Sequence, residues 1–121
     1  SLKRKVTGSI IGNWTSATVS TEWSYLDWPV SSADLEKLRG VRFVFTSGSH
    51  ALEIDGVELL ENGKVIDRDR HAGLAGKPSR GNFYKLSLPK GIHANNGCSL
   101  RARVRSVGGK SSNGKLELVK E

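Results

Sequence analysis

The stretch "DRDRHAGLAG", residues 67–76, gathers the side chains best suited to chemistry: Asp67, Arg68, Asp69, Arg70 and His71, then a run of small residues. A histidine beside carboxylates suits a catalytic base, a metal ligand, a sugar contact or a polar pin in a loop. Zinc fits poorly, because His50, His71 and His93 lie far apart and none has a Cys or His neighbour at ligand spacing. Glu61, Asp67 and Asp69 carry oxygens that a calcium ion would accept, but the twelve-residue calcium-loop pattern is absent, so they read as solvated loop acids. Nucleophilic catalysis has little to work with. There is no G-x-S-x-G elbow, and Cys98, the only cysteine, falls on the inward face of its strand, where a thiol acts as a small hydrophobe. Among 12 acids no pair stands out as a glycosidic acid and base. "GGKSSNG" is rich in glycine but lacks phosphate-loop spacing and lies between strands.

Charge offers a second candidate. Lysine and arginine total 19, for a net charge of +7. That excess favours acidic partners or simply solubility. In "CSLRARVRSV", Arg101, Arg103 and Arg105 share one strand face, spaced roughly 6.6 Å apart. Such a ladder would track a polyanion, or pair with acids on neighbouring strands such as Glu117. Nucleic acid also needs exposed aromatic rings beside the basic stripe, and the aromatics here alternate inward, so a nucleic-acid partner is not expected. The tryptophans all sit early. Trp14 and Trp23 follow strand-like segments and read as core. Trp28, in "LDWPV" near a strand end, reads equally as core or as an exposed platform for a sugar ring.

The elements that must position these residues are strands. At 121 residues the chain suits one domain, large enough to bury a core without disulfides. "VRFVFT" puts Val41, Phe43 and Phe45 on one face. In "HALEIDGVELL", Leu52 and Ile54 share a face, Gly56 permits a bulge, and Val57 and Leu59 resume the inward role. Asn62-Gly63 predicts a tight hairpin to a strand over 64–67, leaving 67–76 as the loop beyond it. "FYKLSLP" turns Tyr84, Leu86 and Leu88 inward. "GGKSSNG" reads as a loop and "KLELV" as the last strand. "KVTGSIIG" and "SATVSTEWSYLDWPV" read as strands less cleanly. Residues 31–38 predict one or two helical turns, capped by Ser31 or Ser32. Many short strands with glycine-rich turns imply an all-β, antiparallel β-sandwich. No apolar run is long enough for a bilayer, so membrane insertion is not expected. With no methionine anywhere, the chain reads as processed or as a fragment of a larger multidomain protein.

Several segments together resemble a known module. "VRFVFTSGSHALEIDGVELLENGKVIDRDRHAGLAG", "NFYKLSLP" and "LRARVRSVGGKSSNGKLEL" resemble the galactose-binding-like β-sandwich attached to secreted bacterial glycoside hydrolases, most of all family 20 β-N-acetylhexosaminidases of Bacteroides-type bacteria. The likeness runs from about Trp14 to Leu118 and includes the "D-x-H-x-G" loop at Asp69, His71 and Gly73. It implies a jelly roll that is secreted, periplasmic or at the cell surface and has no activity of its own. It also implies a glycan as partner, or the catalytic barrel of the same polypeptide, and a structural calcium in many members. Expected sugar contacts are Trp28 for ring stacking and His71, Arg80 and Asn82 for hydroxyls, all in or beside loops. The alternatives are a basic polyanion-binding module built on Arg101, Arg103 and Arg105, or a purely structural domain docked on the barrel. In the loop, Asp69 and His71 straddle Arg70 and point the same way, so an Asp–His hydrogen bond is expected, with Gly73 and Gly76 letting the chain turn.

Overall fold

A computed structural model describes residues 7–76 and 82–121. Among them, nine strands and one short helix run in order: β1 Thr7–Thr15, β2 Ser24–Val30, α1 Ser32–Leu35, β3 Leu38–Gly48, β4 Ala51–Glu61, β5 Lys64–Asp69, β6 Gly73–Ala75, β7 Asn82–Lys85, β8 Cys98–Val107 and β9 Ser112–Lys120. They form two antiparallel sheets. One runs β1-β9-β3-β7, the other β2-β8-β4-β5, with β6 paired to the far stretch of β4. The result is an all-β sandwich, as alternation predicts.

The inward residues make one core between the sheets. Val41, Phe43, Leu52, Ile54, Leu59, Leu100, Val104, Leu116 and Leu118 have essentially no exposure. Each such side chain contributes about 1.5–3 kcal/mol by leaving water. Ser31 caps α1, its hydroxyl accepting the Asp34 N–H at 3.2 Å. The Asn62-Gly63 turn has φ of 49° and 85°, the left-handed pair that a two-residue hairpin requires.

A bulge in β4 and the extent of β5 shape the outer face and the rim of the sandwich. At Ile54/Gly56, β4 gains a residue relative to β8, so Asp55 and Gly56 together face Arg103. Inward burial then resumes at Val57, as the sequence predicts. β5 extends through Asp69, so the first part of 67–76 is strand, and β6 claims Gly73–Ala75. Within 67–76, only 70–72 and Gly76 remain as connection.

The last strand also starts earlier than expected. Asn113-Gly114, expected as the end of a loop, lies inside β9 between β1 and β3. Gly114 is there for space: a Cβ would run into Val44 O and the Trp14 indole. Trp14 accordingly is buried, 3% exposed.

Candidate functional site

The predicted rim cluster is partly assembled. Asp69 Oδ1 accepts a hydrogen bond from His71 Nδ1 at 3.0 Å, as expected. The His71 ring stacks on Tyr84, centroids 4.1 Å apart at 15°, and Tyr84 Oη donates to His71 O at 3.1 Å. Gly73 makes room for that hydroxyl, since a Cβ there would lie 2.5 Å from it. Its φ is not in the left-handed region, so close approach rather than turning explains it. Asn82 joins the cluster, but its amide is spent on backbone. Oδ1 accepts Leu74 N at 3.1 Å and Nδ2 donates to Leu74 O at 2.9 Å. Asp69 Oδ2 accepts Lys85 N at 2.7 Å and Asp67 Oδ2 accepts Ser87 N at 2.9 Å. The two carboxylates of β5 thereby fasten the edge of one sheet to the β7 end of the other. Burial alone would raise the Asp69 carboxyl, but the Lys85 N–H and His71 outweigh it and hold the pKa below the usual value. Burial, with Asp69 and Asp55 nearby, pushes the Tyr84 phenol far up. Asp67, Asp69 and His71 thus form a structural clasp.

Trp28 does not join it. The indole is 8% exposed, sits edge-on to Phe43 at 5.8 Å, and donates through Nε1 to Asn13 O at 3.4 Å. Phe43 and Tyr84, themselves 6.0 Å apart, intervene between Trp28 and His71. Residues 24–30 alternate, and Trp28 falls on the inward parity with Val30, so it offers no open face for a sugar. Arg80 lies outside the described residues.

The open surface with chemistry is instead the outer face of the β2-β8-β4-β5 sheet. Arg101 and Arg105 project there opposite Glu58 and Glu53 of β4, and Arg103 opposite the Asp55–Gly56 bulge. Arg101 donates to Glu58 Oε1 from Nη2 at 2.7 Å and from Nε at 3.1 Å. Arg103 meets Asp55, and Arg105 reaches Glu53 at 2.8 Å. Glu58 also receives Arg68 of β5 at 3.1 Å. The Glu58 hydrogen bond raises the Arg101 pKa further. Acids do pair with the stripe, as one reading of the sequence expects, but they come from β4. Glu117 lies on the other sheet, bound to Arg42 at 2.7 Å. Each arginine of the ladder therefore has an acid partner, Glu58 being shared with Arg68.

The aromatic expectation also changes. Trp23 is only half-buried, and its ring lies 4.7 Å from both Arg103 and Arg105. Tyr25 is 54% exposed and lies 4.7 Å from Arg101. Both have the outward parity of β2, opposite to that of Trp28. The signal was in "WSYLDW": Trp28 turning inward forces Tyr25 outward, with Trp23 two residues farther along. Beside the Tyr25 ring lies a depression of about 350 Å³, lined by Tyr25, Asp55, Gly56, Glu58, Arg70, Arg101 and Arg103. The Gly56 bulge forms part of its wall without adding a side chain.

As for a metal, among the described residues no group of three or more His, Cys, Asp or Glu side chains is disposed to hold one. Asp67, Asp69 and Glu61, the candidate calcium acids, are engaged by Ser87, by Lys85 and His71, and by Asn95 respectively. Among the described residues no helix is long and apolar enough to cross a membrane. Comparison with known proteins finds no family model that matches the chain and no curated relative.

Proposed function

We propose that this chain is a noncatalytic carbohydrate-binding module, a galactose-binding-like jelly roll serving as accessory domain of a secreted glycoside hydrolase of the β-N-acetylhexosaminidase type. The sequence resemblance supports the jelly-roll topology, the secreted setting and the parent enzyme. The observation that carries the binding role is the Tyr25 depression. A sugar ring has an apolar face, which an open aromatic ring accepts, and a rim of hydroxyls, which carboxylates and guanidinium groups bind in pairs. Here those groups are held by one another before any ligand arrives, so little side-chain freedom is lost on binding. Asp55 and Glu58 act as acceptors within ion pairs, which suits recognition rather than proton transfer.

The site moves with this reading from the rim to the sheet face. His71 and Asn82 then support the clasp behind it. A saccharide array on the isolated domain, followed by titration with the best hit, tests the proposal. Tyr25→Ala should weaken binding at least tenfold without unfolding the domain, because the ring is more than half exposed. Unchanged affinity in that variant excludes the face. A polyanion site predicts instead a steep loss of affinity with added salt, which the acid-paired arginines do not support.

A further inference from the structure

We infer that the saccharide bound at this face carries an anionic group, a carboxylate or a sulfate ester, received by Arg70. The inference rests on the carbohydrate reading and adds the ligand's charge. Arg39, Arg42, Arg68, Arg101, Arg103 and Arg105 each meet a carboxylate. Arg70 alone among the described arginines meets none. Stretches 1–6 and 77–81, outside the described residues, contain no acid that could pair with it.

Arg70 is also placed for a ligand. It comes directly after β5 and lines the depression with Tyr25 and Asp55. Its Cγ lies 3.3 Å from where a Cβ on Gly56 would stand, so its stem crosses the bulge that glycine leaves bare. Arg101 and Arg103, the other arginines of the depression, already spend donors on Glu58 and Asp55. One planar guanidinium with unspent donors, beside an open aromatic ring, matches a single anionic group on a sugar.

An array of matched saccharides, each in neutral, uronate and sulfated form, tests this on wild type, Arg70→Gln and Arg70→Lys. The expected result is a preference of about tenfold or more for one acidic form over its neutral partner. Arg70→Gln should bring the ratio of acidic to neutral affinity to about one, whatever it does to the neutral form. Arg70→Lys, which keeps the charge and loses the fork, should fall between. Whether uronate or sulfate leads identifies the source of the charge. Equal binding of neutral and acidic partners, or a preference that survives Arg70→Gln, overturns the inference and leaves the carbohydrate role standing. No hit in any form overturns both. The Arg70 side chain has no carboxylate partner to lose, and a thermal melt confirms that each variant folds.

Discussion

Asp69→Asn should destabilise the domain at neutral pH and cost progressively less in acid. Asp69 accepts the Lys85 N–H at 2.7 Å and the His71 Nδ1–H at 3.0 Å, with a side chain 25% exposed. A hydrogen bond to a charged group contributes about 1.5–3 kcal/mol. Asparagine keeps one acceptor and loses the charge, so about 1–2 kcal/mol should disappear. The pH dependence comes from the lowered pKa. The native state favours the ionised form, so the contribution is complete above the unfolded value of about 3.9. It fades as pH falls through the lower folded value, where wild type becomes protonated and resembles the variant. Urea unfolding of both proteins at pH 7 and at about pH 2 reads this directly. The difference should be smaller in acid. An equal or larger difference at low pH would refute the clasp, because a neutral side chain would then serve as well.

Two further expectations concern packing and reactivity. Gly114→Ala places a methyl against Val44 O and the Trp14 ring; it should cost about 2–3 kcal/mol by overpacking, and denaturant melts showing wild-type stability would contradict the close approach. Cys98 is buried, and burial, with Glu61 nearby, raises its thiol pKa; it should resist an aromatic disulfide reagent at neutral pH until denaturant unfolds the chain, and immediate labelling would contradict its inward placement.

Parity decided how much of the fold was legible in the sequence. Where one residue type repeats every second position, as in "LRARVRS", the inward and outward faces read directly and match the structure. The Gly56 bulge and the Asn62-Gly63 hairpin were equally readable, since each rests on a local backbone need that few residues meet. The same Gly56 bulge also sets Glu53, Asp55 and Glu58 against the three arginines, but partner strands are a long-range fact. Local pattern cannot tell β4 from β9, and so Glu117 was a plausible partner. Asn113-Gly114 shows the opposite failure. A dipeptide suited to turns serves here because Trp14 needs the space, a contact across about 100 residues of chain. Trp28 was undecidable from Pro29 alone; its inward placement became visible only with the register of β2 on β8.

The central claim is that a saccharide binds on the outer face of the five-stranded sheet. Titrating the labelled domain with an array hit while tracking its amide and Tyr25 ring resonances tests that most directly. Shifts should concentrate at Tyr25, Gly56, Arg70, Arg101 and Arg103, the lining of the depression. Shifts confined to residues of the sandwich rim, such as His50, His93 and their neighbours, with Tyr25 unmoved, would contradict it.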